Sequence, residues 1–354
     1  LPPLFCSTPL ILVLKEGVDR AARDRIVRRV EELGFRAAEV EGGTLPLVCV
    51  LGTDGRTDPS LFRALTGVER VIPLERPYPL VSRGARKEDT VVRVGGARIG
   101  GGSFVAIAGP CAVEDRETTF AVARAVRDAG AAILRGGAFK PRASPYSFRG
   151  LGEEGLRILA DAASEFGLAV VTEVIDPRDL DRVLRCADLL QVGSRNMQNY
   201  ALLAEVGRAG KPVLLKRGMA ATLEDLLLSA EYLVEAGNRD VVLCERGVRG
   251  FDEATRNLLD LAAVPALKRL THLPVIVDPS HATGRAELVP PMAKAAVCAG
   301  ADGVMVEVHP SPERAKSDGR QALPPEAFAA LMRELARLVP LEGKRLLEPS
   351  AVRA

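Results

Sequence analysis

The chain is predicted to be an α/β protein, a (β/α)8 TIM barrel preceded by a small ferredoxin-like α+β domain. Three observations carry that expectation. From Ser103 onward, eight apolar runs alternate with amphipathic helical stretches over about 250 residues, the count and length of such a barrel. Ahead of it, residues 10–73 read strand, helix, strand, strand, helix, strand, the order of a split βαβ unit. Between the two, Pro73 to Thr90 turns to proline, arginine and alternating charge, the composition of a linker. The expected division is a ferredoxin-like domain at 1–80, a linker and hairpin at 81–102, and a catalytic barrel at 103–340.

In chain order, the small domain begins with a strand at Leu10–Leu14 and a helix at Asp19–Leu33. That helix carries Ala22, Ile26, Val30 and Leu33 on one face, with Asp19 as N-cap and Gly34 as its stop. Strands at Phe35–Glu41 and Leu45–Leu51, a helix at Asp58–Leu65 and a strand at Val68–Ile72 complete it. Ferredoxin-like sheets can bind RNA by stacking bases on sheet aromatics, but this one offers only Phe35 and Phe62, so a structural or small-molecule sensing role is expected. Val91–Val94 and Ala97–Ile99 flank Gly95-Gly96 as a hairpin. No Lys-Ser/Thr follows the spaced glycines, so Gly95–Gly102 is not a phosphate loop.

The barrel strands are expected near 103–108, 132–135, 169–173, 189–192, 213–216, 240–244, 274–277 and 303–308. Helices fill the gaps, among them Arg116–Ala129, Glu153–Phe166, Thr222–Ala236 and Ala286–Ala299. A doubly wound open sheet is the alternative, but it lacks a glycine fingerprint after its first strand.

Composition narrows the function classes. Of 354 residues, 47% are hydrophobic and 27% charged, the balance of a globular protein with a sizeable core. A net charge of +2 argues against wholesale binding of nucleic acid or a membrane surface. No apolar run reaches the ~18 residues of a membrane span, and six cysteines lie scattered without a CxxC pair. Reduced thiols in a cytoplasmic protein are the expectation.

In a parallel barrel the residues that follow each strand converge on one mouth. Here that set is basic: Arg135, Lys140 and Arg142 after the second strand, Arg195 after the fourth, Lys216 and Arg217 after the fifth, Arg246 after the sixth. A lone cation after a strand would mean nothing, but clustered cations repel unless an anion neutralises them. Guanidinium forks suit phosphate and carboxylate oxygens, so a small ligand with several negative charges is expected.

Four residues could ligate a metal: Cys111 after the first strand, His281 after the seventh, Glu307 at the end of the eighth, and Asp318 beyond it. A thiolate, an imidazole and two carboxylates suit a borderline ion such as Mn, Fe, Co or Zn better than Mg or Ca. On spacing alone the metal reading and a purely structural one both stand, because no local motif such as HExxH ties the four together. Cys6, Cys49, Cys186 and Cys298 read as small buried residues or incidental thiols, and His272, ahead of its strand, as structural.

The strings GPCAVED, RGGAFKPRASPYSFRGLGEEGL, VTEVID, GSRNMQN, LLKRG, CERG, DPSHATG and GVMVEVHP with SDGRQAL resemble the 3-deoxy-D-arabino-heptulosonate 7-phosphate synthases of the type I beta branch, over about residues 85–340. Octulosonate 8-phosphate synthases share the barrel, but Lys140-Pro141-Arg142 is similar to the heptulosonate enzymes. The resemblance implies condensation of phosphoenolpyruvate with erythrose 4-phosphate, the entry to the shikimate route to aromatic amino acids. It implies Cys111, His281, Glu307 and Asp318 as ligands of a divalent metal. Arg135, Lys140, Arg195, Lys216 and Arg246 would hold phosphoenolpyruvate, and Lys140, Pro141, Arg142 and Ser144 would meet the aldose phosphate. Ala143 departs from the threonine usual after Lys-Pro-Arg. The resemblance further implies a homotetramer whose N-terminal domain gates the barrel when tyrosine or phenylalanine binds.

Glu173, at the end of the third strand, is the candidate for orienting or deprotonating the water that this chemistry needs; neutralising the cation cluster is the alternative role. With Lys140, Cys111 and His281 it makes up the expected catalytic set. Two rival enzymes remain, an octulosonate 8-phosphate synthase and a metal-dependent sugar-phosphate aldolase. A non-catalytic sensor is the rival from another class.

Overall fold

The structure, a computed structural model, describes residues 10–40, 46–53, 57–73, 77–141 and 144–347. The expected contacts of Arg142 and Ala143, and the reading of Cys6, therefore lie outside the described residues. The chain divides into two compact units, one reaching Asp89 and including Leu270–His272, the other formed by the rest.

The first unit runs β1 (Leu10–Leu14), α1 (Arg20–Glu32), β2 (Arg36–Val40), β3 (Leu47–Leu51), α2 (Ser60–Arg63) and β4 (Val68–Pro73). The sheet order is β2-β3-β1-β4, with antiparallel pairs throughout, which is the ferredoxin-like arrangement. The Asp19 carboxylate caps α1 by accepting from the Ala22 N–H at 2.6 Å, and Gly34 leaves the helix at φ +87°. Ile26, Val30 and Phe62 pack onto Leu12, Leu14, Val48 and Val50, which makes a core of its own. Helix α2 is shorter than expected. Asp58 ties its carboxylate to the backbone N–H and hydroxyl of Ser60, a local turn that competes with helix at its start.

In the second unit β5 (Val92–Val94) and β6 (Ala97–Ile99) form the expected hairpin. Eight parallel strands follow: β7 (Ser103–Gly109), β8 (Ile133–Arg135), β9 (Ala169–Glu173), β10 (Leu189–Val192), β11 (Val213–Lys216), β12 (Val241–Glu245), β13 (Val275–Val277) and β14 (Gly303–Glu307). Each pairs with the next, and β14 pairs back onto β7 from Gly303 opposite Val105 to Glu307 opposite Gly109, closing the barrel. Closure needs a bare backbone at its start: a β-carbon on Gly303 would lie 2.5 Å from the Val105 carbonyl oxygen. A short β15 (Arg345–Leu346) adds to β7.

Val92, Val94, Ala97 and Ile99 of the hairpin join Ile107, Ile133, Val171, Leu214, Ile276 and Met305 in one core. The hairpin sits at the N-terminal ends of the strands, where Gly95 meets Ala169 and Gly100 meets Pro274. That end is plugged with apolar side chains, so polar chemistry is confined to the opposite mouth. The expected helix 286–299 divides into a 3₁₀ turn at Ala286–Leu288 and a helix at Val289–Cys298, because Pro290 and Pro291 lack N–H donors and suit only a first helical turn. No helix of the described residues is long and apolar enough to cross a membrane.

Candidate active site

Residues hundreds of positions apart meet at the mouth. One ligand atom from each of Cys111, His281, Glu307 and Asp318 lies within 4.8 Å of the others. Strand β7 delivers Cys111 after Gly109, where a side chain would strike the backbone of Arg135. A short helix, Pro279–Thr283, starts directly after β13 and carries His281, with Asp278 as its N-cap. Glu307 is the last residue of β14 and is fully buried. Asp318 is brought back by the following loop, at φ +54°, the one left-handed non-glycine among the described residues. That loop is anchored by the Lys316 N–H donating to Glu114 at 2.7 Å and by Ser317, whose hydroxyl is 3.1 Å from the Cys111 sulfur.

The donor set fits a divalent transition ion. Asp278 is buried, but His281 and Lys216 keep its carboxyl well below the usual range, so it stays ionised. It accepts from His281 Nδ1 at 2.8 Å, which leaves the lone pair of Nε2 facing the cluster. Burial also lowers the pKa of His281, favouring the neutral ring that a metal requires. Burial and the Glu307 carboxylate push the Cys111 thiol up to about 12, so ligation there has to displace a proton. Burial works against the Asp318 carboxylate, yet His281 and Arg256 outweigh it and hold it at about 2. The most direct sign is Glu307 Oε1. It lies 3.1 Å from Arg135 Nη2 and 3.2 Å from His281 Nε2, yet it receives no hydrogen bond. A buried carboxylate oxygen without a donor points to a missing partner.

Beside the cluster is a cavity of about 340 Å³ lined by Arg135, Lys140, Arg195, Lys216, Arg246 and Arg256, with Glu173 and Asp318 as the lining carboxylates. Pro141 and Ser144 line it as well. Six cations against two carboxylates leave room for a polyanion. Arg135 is 5% exposed, and its Nε and Nη1 have no hydrogen-bond partner. A buried guanidinium left open in this way is set for an anion. Lys140 Nζ reaches both the sulfur and the carbonyl oxygen of Cys111 at 3.0 Å. A β-carbon on Gly137 would lie 2.7 Å from the Lys140 side chain, so this bare residue makes room for the lysine. Lys216 is paired with Asp278.

Arg217, expected among the mouth cations, turns away. Its Nη1 binds Glu245 at 2.8 Å and Asp260 at 3.0 Å, because neighbours on a strand point to opposite faces. His272 is 2.9 Å from the Leu80 carbonyl oxygen and does not line the cavity.

Several residues at the site were not legible in the sequence. Arg256 and Gln321 contact the acidic ligands, and Gln191 holds Glu173 through an amide at 3.2 Å. Gln321 stands inside the string SDGRQAL and Asp278 three residues from His281, and these were the available signals. Arg256 lies in a stretch with no periodicity and gave none.

Residues 85–340 match the family described as DAHP synthetase I, and residues 10–76 match the DAHP synthase ferredoxin-like domain. The chain is 45% identical over 337 residues, 95% of its length and all of the relative's, to phospho-2-dehydro-3-deoxyheptonate aldolase of Thermotoga maritima. A crystal structure of a phospho-2-dehydro-3-deoxyheptonate aldolase (DAHP synthase) from Thermotoga maritima superimposes with a TM-score of 0.77, covering 96% of this chain and 99% of that one, also at 45% identity. The 2-dehydro-3-deoxyphosphooctonate aldolase of Thiobacillus denitrificans is 35% identical but spans only 65% of this chain, and 86% of its own length is covered.

Proposed function

Because the chain belongs to the DAHP synthetase I family, we propose that the mouth described above condenses phosphoenolpyruvate with erythrose 4-phosphate to give 3-deoxy-D-arabino-heptulosonate 7-phosphate and inorganic phosphate. The observation that carries the site assignment is the juxtaposition of four metal-ligating atoms within 4.8 Å and a cavity walled by six cations. The heptulosonate reading is favoured over the octulosonate one by similarity, 45% identity over 95% of the chain against 35% over 65%.

In this reading Arg135, Lys140, Arg195, Lys216 and Arg246 hold the carboxylate and phosphate of phosphoenolpyruvate, fixing its face toward the second substrate. Pro141, Arg142 and Ser144 meet the aldose phosphate. Cys111, His281, Glu307 and Asp318 would hold a divalent transition ion, which when bound would supply Lewis acidity to the aldehyde carbonyl. When C3 of phosphoenolpyruvate adds to the aldehyde carbon, positive charge develops at C2, and the carboxylate of Glu173 faces the cavity from the end of β9. Glu173 orients a water and takes its proton as oxygen bonds to C2. Cleavage of the C–O bond to phosphorus-bearing oxygen then releases phosphate. The surrounding guanidinium and ammonium groups neutralise the charge as it moves.

The reading extends to feedback control by tyrosine or phenylalanine through the first unit, which the ferredoxin-like domain match supports, and to the homotetramer that the family resemblance implies. Free thiols at Cys111, Cys186, Cys244 and Cys298 support a cytoplasmic setting. The experiment is to strip the protein with a chelator, supply both substrates, and add back Mn, Fe, Co or Zn. Phosphate release restored by such an ion is expected. Full release from the stripped protein would sink the metal assignment, and release only with a five-carbon aldose phosphate would favour the octulosonate enzyme.

A further inference from the structure

Gln321 is 2% exposed and ends the 3₁₀ turn Gly319–Gln321 that follows Asp318. Its amide stands between two groups that bear on the acidic ligands. Oε1 accepts from Arg256 Nη1 at 2.9 Å, and Nε2 donates to Glu307 Oε2 at 2.7 Å. The same Arg256 Nη1 reaches Asp318 Oδ1 at 3.2 Å. A guanidinium has no acceptor, so the amide oxygen must face Arg256 and the NH₂ must face Glu307. The orientation is therefore dictated by chemistry, with one arrangement satisfying both neighbours. Glu307 then has one oxygen committed to Gln321 and the other, Oε1, turned toward His281 with no hydrogen bond.

We infer that Gln321, oriented by Arg256, is a positioning residue that holds Glu307 as a one-oxygen metal ligand and ties it to Asp318. The inference rests on the metal reading above. Without the amide donor, Oε2 of a fully buried carboxylate would be unsatisfied, and turning the group to offer Oε2 to the Arg135 guanidinium, which lies 3.1 Å from Oε1, would take Oε1 away from His281. Part of the binding energy of an ion would then be spent turning Glu307 back. Arg256 contributes twice, by fixing the amide and by holding the free oxygen of Asp318. Outer partners of this kind change metal affinity by about 10–100-fold.

The test is titration of the metal-free full-length protein with Co²⁺ alone, followed through the thiolate-to-cobalt absorption band. Gln321→Met keeps the volume and removes the donor. It is expected to raise the Co²⁺ dissociation constant at least about tenfold, while saturating cobalt restores the band at the parent wavelength, since Cys111 still ligates. A structural collapse would lose the band even at saturation, and that outcome overturns the inference, as does a dissociation constant within twofold of the parent. Arg256→Met changes a partly exposed partner and is expected to weaken cobalt in the same direction. Unchanged affinity there overturns orientation by Arg256. No band in the parent protein would instead remove the metal reading itself, so the two failures are distinguishable.

Discussion

The carboxylate of Glu173 occupies the space that a β-carbon on Gly193 would need. Gly193 has φ −72°, an ordinary value for any residue, so its glycine is required for room and not for backbone freedom. Gln191, two residues earlier on the same strand end, holds Glu173 from the side at 3.2 Å. The end of β10 thus fixes the acid at the end of β9.

If Glu173 handles the water, Gly193→Ala should displace it and cost kcat about 10²-fold, the usual scale of general acid–base catalysis. Glu173→Gln should cost a similar amount, and the double variant should be no worse than either single one. Steady-state phosphate release measures all three. A loss below a few-fold for Glu173→Gln would leave the carboxylate a mere counter-charge.

Asp278 serves Lys216 and His281 with one carboxylate oxygen, in a position with no solvent exposure. Asp278→Asn leaves the Lys216 ammonium buried beside a neutral amide, which should destabilise the fold by about 3–5 kcal/mol. It also frees the His281 ring and should weaken cobalt about 10–100-fold. Adding Lys216→Met should restore the denaturation midpoint without restoring cobalt affinity. Recovery of both together would contradict the separate roles.

His272 is 8% exposed and hydrogen-bonded at 2.9 Å to Leu80, and burial lowers its pKa below the ordinary 6.5. The unfolded chain then binds a proton more readily than the folded one. Its contribution to stability is complete above about pH 6.5 and is lost as pH falls from there through the lowered folded value. His272→Gln should flatten this part of the profile, seen as a smaller drop in Tm between about pH 7.5 and pH 5.5 than in the parent. Identical drops would show that the imidazole is not the group responsible.

Tyrosine or phenylalanine should inhibit the full chain and leave a chain beginning at Thr90, the start of the second unit, unaffected. Initial rates at saturating substrates with each amino acid decide it. Equal inhibition of both chains, or of neither, would remove the first unit from regulation.

The barrel was legible because its signal is local. Each strand is a short run of buried apolar residues, such as Leu189–Val192, and each helix has its own period, as in Glu153–Phe166. Ends were less certain where one or two residues decide them, as Pro290 and Pro291 do for the helix Val289–Cys298. The chemistry-bearing residues were readable one at a time, since Cys111, His281 and Glu307 each follow or end a strand.

The sequence by itself determined which strands exist, that their carboxyl ends carry cations, and which four side chains have donor atoms a metal would accept. Only the tertiary structure decided that those four converge, that Arg217 turns away while Lys216 turns in, and that Gln321 and Arg256 stand behind the acids. The physical reason is range. Periodicity and turn chemistry act over a few neighbours along the chain. Convergence depends on barrel closure between β14 and β7, almost two hundred residues apart, and no local pattern encodes which side chains that closure brings face to face.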